Sequence, residues 1–434
     1  MNRGSELSLL LRRVLGATLS GTLVVIGFGG YVIAGLSASA ATQQSRGPAA
    51  NQTRTHPAPS PDQFVVAVVV GQSGTDTGDA LAPYEVLGSS PRFFVYTAAA
   101  NVSPAPLSGG LSIVPDFTFD EIARDATLAP DLIVVPAVNE PSSPKEQSAR
   151  DFIVEELAGG SRVLGICAGS RLLAAAGVLD GRTATSHWSR ISALEGTNPK
   201  TTWIRGQRYV QDGPITTSGG VTSGIPATLK VMSDLAGAEE AARVAALVDY
   251  PGWSLTASTE MPRQAFGFED LPVLLNAMFP WGRPTLSIQL SDGVGEIDAA
   301  ALFEVYAYSL STSTQAISEN GVVTTQHGMR LTTDRIADAI GAERVTIPLP
   351  SVSGGTYGYD AAFRALAETG SRSEVLSVSK MLEYPLDRID MPNAQFGTQA
   401  RPVLLGITGL IAALLLGASP LIVRRMRRRS PSHP

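Results

Sequence analysis

The 434-residue chain has a single cysteine, Cys167, and only four histidines, His56, His187, His327 and His433. One cysteine excludes an internal disulfide and any site built on several thiolate ligands. Two of the four histidines, His56 and His433, fall in segments without a periodic pattern, which leaves little material for a histidine-rich site. Neither a metal nor another cofactor is therefore expected. Charge is sparse as well, at 17% of residues, and the formal net charge of −6 hides a polarised layout. Arginines crowd the last residues, so the central region is more acidic than the total implies, which argues against a nucleic-acid partner. A hydrophobic fraction of 44% excludes wholesale disorder, and the length suits about two domains.

Long apolar runs are also few, but two stand out. Val14 to Leu36 is long enough to cross a bilayer as a helix, and Pro402 to Val423 is a second such run. Arg3, Arg12 and Arg13 precede the first; Arg424, Arg425, Arg427, Arg428 and Arg429 follow the second. The positive-inside rule places both termini in the cytoplasm and everything between about residues 40 and 400 outside the cell membrane. The other reading of the first run is a cleaved signal peptide, with Ala38-Ser39-Ala40 as its small-residue site. The expected organisation is a cytoplasmic N-terminus (1–13), a transmembrane helix or signal anchor (14–36) and a flexible linker (37–62). Two related α/β segments follow (63–282 and 283–393), then a transmembrane helix (402–423) and a basic cytoplasmic tail (424–434).

Within the central region, Phe64 to Val70 is a short, continuous apolar run, as a strand buried on both faces of a parallel sheet requires. Arg92 to Tyr96, Asp131 to Val135 and Arg162 to Ile166 read the same way, with helical patterns between them. Alternation of this kind predicts a doubly wound α/β layer. The chain then partly repeats itself. Asp79-Ala80-Leu81-Ala82-Pro83-Tyr84-Glu85-Val86 is echoed by Asp298 to Val305, and Gly110-Leu111 with Asp116 by Gly328-Met329 with Asp334. The offset between partners is 212 at Pro136 and Pro348 but 134 at Tyr250 and Tyr384, so about 78 residues are absent from the second copy. The absent piece is the one that carries Cys167. Repeats can bury one face against each other, so an internal pseudo-dimer is expected, with a homo-oligomer as the other arrangement.

Gly165-Ile166-Cys167-Ala168-Gly169-Ser170 follows an apolar strand and opens a helical run. A nucleophile between two glycines at a strand-to-helix turn is an elbow, which lifts the side chain clear of the sheet. The helix that follows would turn its positive end to the sulfur and favour thiolate. The bland alternative is a buried, inert cysteine. This stretch, continued by Leu172 to Trp188 and by Asp212 to Ile225, resembles the ThiJ/PfpI family of the class I glutamine amidotransferase-like superfamily. The matching branch is shared by isonitrile hydratases and the amino-terminal domains of AraC-type regulators.

The resemblance implies a flavodoxin-like doubly wound parallel sheet, in one complete and one truncated copy. It also implies Cys167 as nucleophile, with an acidic residue near the first strand that meets the thiol; Asp79 falls on that position, where a helix cap is the competing reading. A pocket bounded by Ala137, Val138, Ala168, Gly169, His187 and Gly220 follows from the same alignment, with His187 either a site wall or a structural histidine. Asp298 takes the place of Asp79 in the second copy, where capping is expected, and His327 is expected to be exposed. Departures matter: Ala168 replaces the histidine or threonine usual after the cysteine, and Pro136-Ala137-Val138 replaces a Pro-Gly-Gly turn whose amides would form an oxyanion hole. Three readings follow: a cysteine-dependent hydratase or hydrolase acting on a small electrophile, a non-catalytic ligand-binding or redox-sensing module, or a structural envelope protein. The expected partners are the membrane and a small-molecule substrate or ligand.

Overall fold

Phe64–Val69 (β1) forms the first strand, and its side chains alternate between two cores. Val66 and Val68 join the one that contains Leu81 and Tyr84; Val65, Ala67 and Val69 join the one that contains Phe152 and Leu172. A strand sandwiched in this way must be apolar at every position, which is why its sequence is a run and not an alternation. The computed structural model describes residues 58–278, 280, 283–339, 343–346 and 358–393. The apolar runs at 14–36 and 402–423, the basic tail and most of the linker lie outside them. Among the described residues no helix is long and apolar enough to cross a membrane.

The next strands are Phe93–Ala99 (β2), Ala105–Pro106 (β3), Ser112–Val114 (β4), Phe117–Thr118 (β5), Leu132–Val135 (β6) and Arg162–Gly165 (β7). Thr183–Ala184 (β8), Thr202–Trp203 (β9), Tyr209–Asp212 (β10) and Ile215–Ser218 (β11) complete the first part. The main sheet runs β10-β11-β7-β6-β1-β2-β5, parallel throughout except for β10. Its helices are Thr77–Gly88 (α1), Phe119–Arg124 (α2), Gln147–Gly159 (α3), Ser170–Ala175 (α4), Trp188–Thr197 (α5), Gly224–Ala236 (α6) and Ala238–Val248 (α7). Leu271–Met278 (α8) leads into the second part.

That part contains Thr285–Gln289 (β12), Ser313–Ser318 (β13), Val322–Thr324 (β14), Arg330–Thr332 (β15), Asp334–Arg335 (β16) and Glu343–Thr346 (β17). Its helices are Glu296–Ser309 (α9), Tyr359–Thr369 (α10) and Arg372–Leu382 (α11). The sheet order β17-β12-β13-β16 matches β6-β1-β2-β5 strand for strand, and all its pairings are parallel. No described strand of the second part matches β7, β10 or β11, the strands that flank the cysteine elbow.

The two parts meet about a local pseudo-twofold axis. β4 pairs antiparallel with β15 so that Ile113 faces Leu331, Ser112 faces Thr332 and Val114 faces Arg330. Under the repeat alignment of Gly110 with Gly328, Ile113 and Leu331 are equivalent and the other two pairs exchange. That self-complementarity is the mark of an isologous contact. Helices α1 and α9 obey the same operation. The amide of Gly78 donates to Glu304 Oε1 at 3.2 Å, and the amide of Ile297 donates to Glu85 Oε2 at 2.6 Å. The two amides, and likewise the two glutamates, are 219 residues apart. Each helix thus presents its first-turn donors to a carboxyl on the other. Both helices are buried nearly all round, which explains their lack of a polar stripe.

Candidate functional site

Cys167 sits where β7 ends and α4 begins, with φ of 55°. A non-glycine residue held in the left-handed region costs about 1–3 kcal/mol and persists only where its surroundings enforce it. Here Ser170 and Ser186 donate hydroxyl hydrogen bonds to the Cys167 carbonyl, and the Cys167 amide donates to Ser218 Oγ at 3.3 Å. Gly169 fits because nothing larger would: a Cβ there would overlap the Val135 carbonyl and crowd Pro136. Gly169→Ala is therefore expected to cost at least about 1–3 kcal/mol through overpacking, read as a fall in Tm. An unchanged Tm would mean that the elbow does not press on β6.

The thiol is 4% exposed and faces acids. Burial pushes its pKa well up, Asp79 and Asp76 push it further, and the inward-facing amide of Ala168 offsets only part of this. The expectation of a stabilised thiolate is thereby reversed. A helix of six residues supplies little dipole, whereas desolvation beside two carboxyls acts at full strength. Alkylation of Cys167 by chloroacetamide is expected to have a midpoint well above the ordinary ~8.5; a midpoint at or below it would contradict the buried, acid-flanked setting.

Asp79 is the third residue of α1 and is fully buried. The capping role belongs to Asp76, whose Oδ1 accepts the Asp79 amide at 3.3 Å. The Asp79 Oδ2 accepts the amide of Ala137 at 3.0 Å, and Oδ1 has no hydrogen-bond partner among the described residues. Burial, then repulsion from Asp76, lifts the Asp79 pKa well above the usual range, while the adjacent Cys167 thiol lowers it slightly. Both shifts favour the protonated forms, a neutral thiol beside a neutral carboxyl. Asp76, lifted to about 6 by burial, accepts a hydrogen bond from Tyr308 Oη at 3.1 Å. Glu304 completes the group of acids, accepting from Ser108 Oγ at 2.6 Å, and burial raises its pKa too.

A cavity of about 250 Å³ opens onto Cys167 and Ala168. Ala137, Val138 and Asn139 form one wall, and Ala307, Tyr308 and Met381 from the second part form another. His187 also lines it, yet both its ring nitrogens are engaged: Nε2 bonds the Met381 carbonyl at 2.8 Å and Nδ1 the Ser189 hydroxyl at 2.7 Å. Burial lowers its pKa to about 4, so it is neutral at pH 7. Gly169 and Gly220 lie outside the lining. The Gly220 amide is taken by the Glu383 carboxylate, which also accepts from Ser223 Oγ at 2.7 Å. The Ala137 amide, the family's expected oxyanion donor, is likewise occupied by Asp79.

The second part departs from expectation at two positions. Asp298 does not cap α9, whose N-cap is Gly295; instead it accepts the Gly358 amide. His327 is only 14% exposed and pairs with the buried Glu296 at 2.8 Å. Asp76, Glu304, Tyr308 and Glu383 were not singled out from the sequence. Glu304 left a trace in the echoed block Asp298 to Val305, and Glu383 in the repeated acid-Tyr-Pro triplets at Asp249 and Glu383, both of which take positive φ. Among the described residues no group of histidine, cysteine and carboxylate side chains is arranged to hold a metal.

Residues 65–234 match the model of the DJ-1/PfpI family. The chain is 34% identical to an isonitrile hydratase of Pseudomonas putida over 176 residues, 40% of this chain and 72% of the hydratase. It is 30% identical to the HTH-type transcriptional regulator CdhR of Pseudomonas aeruginosa, spanning 34% of this chain but only 43% of the regulator. A ThiJ/PfpI family protein from Pseudomonas syringae superposes with a TM-score of 0.39 at 25% identity, covering 49% of this chain and 90% of that one.

Proposed function

The chain belongs to the DJ-1/PfpI family, and from that premise we propose that it is a cysteine-dependent enzyme that hydrates a small unsaturated electrophile. The reading rests above all on one observation: the strained Cys167 lies against Asp79, a buried carboxyl with a raised pKa and one oxygen that no other described residue engages. The P. putida relative is named for isonitriles, and that chemistry suits the site. Sulfur attacks the terminal carbon of R–N≡C and forms the S–C bond. Asp79 passes its proton to that carbon and takes the thiol proton in exchange, leaving a thioimidate, R–N=CH–S. Water then adds across C=N, with its hydroxyl on carbon and its proton on nitrogen. The C–S bond breaks, sulfur recovers a proton from the hydroxyl by way of Asp79, and R–NH–CHO departs. The first addition generates no oxyanion, so the engagement of the Ala137 amide by Asp79 does not obstruct it, as it would in acyl transfer.

Proton handling by a carboxyl with a raised pKa is the recognised means of running such steps near neutrality. The test is turnover: full-length protein with a short-chain isonitrile should release the formamide, detected by NMR, and Cys167→Ala should release none. Absence of turnover in the wild type, or equal turnover in the variant, would sink the reading. A non-catalytic ligand-binding module is the second reading, favoured by the deeply buried neutral thiol and the occupied Ala137 amide. It predicts ligand-dependent thermal stabilisation with no product.

The apolar segments at 14–36 and 402–423 and their arginine flanks support attachment to a membrane, with the catalytic region on the outer side. A reporter enzyme that matures only outside the cytoplasm should be active when fused after residue 393; inactivity would reverse the topology.

A further inference from the structure

The cavity at Cys167 carries two arginines on one wall. Arg171 enters from the first turn of α4 and Arg190 from the first turn of α5. Among the described residues neither guanidinium forms an ion pair or a side-chain hydrogen bond, although arginines elsewhere pair freely, such as Arg205 with Glu195 at 2.7 Å. The two are close enough to repel: burial and then Arg190 both act against the charge on Arg171. Like charges on one cavity wall, one of them half-buried, cost free energy that a bound anion would recover. The exposure grades inward, from exposed Arg190 through half-buried Arg171 to buried Cys167. A guanidinium pair at the mouth of a recess suits a planar anion held in fork geometry.

Building on the enzymatic reading of Cys167, we infer that the substrate bears a carboxylate, held by Arg171 and Arg190 while its electrophilic carbon meets the sulfur. A monoanion fits better than phosphate, because Asp76 lines the same cavity and would repel a second negative charge. The volume of about 250 Å³ limits the molecule to a small one. Asn139, Ser189 and Tyr308 offer further polar contacts along the walls.

The test compares two reagents that differ only in charge, on full-length protein: iodoacetate and iodoacetamide. Wild type should alkylate at Cys167 with an iodoacetate-to-iodoacetamide rate ratio higher than that of free cysteine. In Arg171→Gln/Arg190→Gln the ratio should fall about tenfold, as loss of charge-assisted hydrogen bonds implies, and Arg171→Lys/Arg190→Lys should recover part of it. A wild-type ratio no higher than that of free cysteine, or one unchanged in the glutamine variant, would overturn the inference. Butyrate supplies a readout that needs no thiol chemistry. It should raise Tm in wild type but not in the glutamine variant, whereas butyramide should raise neither; stabilisation by phosphate above that by butyrate would replace carboxylate with phosphate as the ligand. Should isonitriles fail to turn over while iodoacetate selectivity and butyrate binding persist, the enzymatic reading falls and the carboxylate site stands. Turnover without charge selectivity means the reverse: the enzyme stands and the carboxylate site falls.

Discussion

Asp79→Asn is expected to lower turnover by about 10²–10⁴-fold, the usual contribution of positioned proton transfer, while making Cys167 easier to alkylate. The two effects diverge because the carboxyl has two influences on the sulfur. In the proposed reaction it carries the proton; as an acid beside a buried thiol it holds the thiol pKa up. Asparagine keeps the shape, and its carbonyl can still accept the Ala137 amide that Oδ2 accepts at 3.0 Å. It also ends the repulsion that Asp79 shares with Asp76 and Glu304. The variant should therefore fold with a Tm at or above that of the wild type, and its alkylation midpoint should move down in pH. A purely structural role for Asp79 predicts the reverse pattern: a lower Tm, with turnover per folded molecule intact. Retained turnover together with a shifted midpoint would show that the proton travels by another route.

Much of the part that carries Cys167 was legible in the sequence. The run from Phe64 to Val70 fits a strand covered on both faces, and glycines on either side of Cys167 fit an elbow, with the family resemblance deciding against a merely buried cysteine. Both are local signals. The electrostatics were not legible, because they are tertiary. Asp76 and Tyr308 draw no notice in the sequence and Glu304 is one residue in a repeated helix, yet the meeting of α1 and α9 gathers all three around Asp79 and Cys167. The pKa shift opposes the expected thiolate for this reason: the sequence shows a helix after Cys167 and Asp79 beside it, but not how short that helix is or that Asp76 and Glu383 add to Asp79. Arg171 and Arg190 carry no mark in the sequence for the same reason, since their lack of partners appears only once the neighbours are placed. The carboxyls of Asp79 and Glu383 likewise occupy the amides of Ala137 and Gly220, which alignment alone would leave free for substrate.

Stability should decline as pH rises from about 5 to about 9. Burial at the junction of the two parts lifts Asp76 and Asp298 to about 6, Glu383 to about 7 and Glu85 to about 8, and also lifts Asp79 and Glu304 well above the usual carboxylate range. A carboxyl whose folded pKa exceeds its unfolded value binds its proton more tightly in the native state. Its contribution is complete below about pH 4 and is lost as pH climbs through the folded value. His187 works in the opposite direction. Its folded pKa of about 4 lies below the unfolded ~6.5, so it favours the native state above about 6.5 and withdraws that support as pH falls toward 4. Six carboxyls against one imidazole leave a net loss toward alkaline pH. A net loss of even a few kcal/mol, at roughly 2 °C per kcal/mol for a chain of this size, should lower Tm by at least about 5 °C between pH 5 and 9. Glu85→Gln should flatten the upper part of that slope, because glutamine still accepts the Ile297 amide without ionising beside Glu296 and Asp298. A Tm that rises over this range, or a slope identical in Glu85→Gln, would mean that the junction admits enough water to solvate these carboxylates.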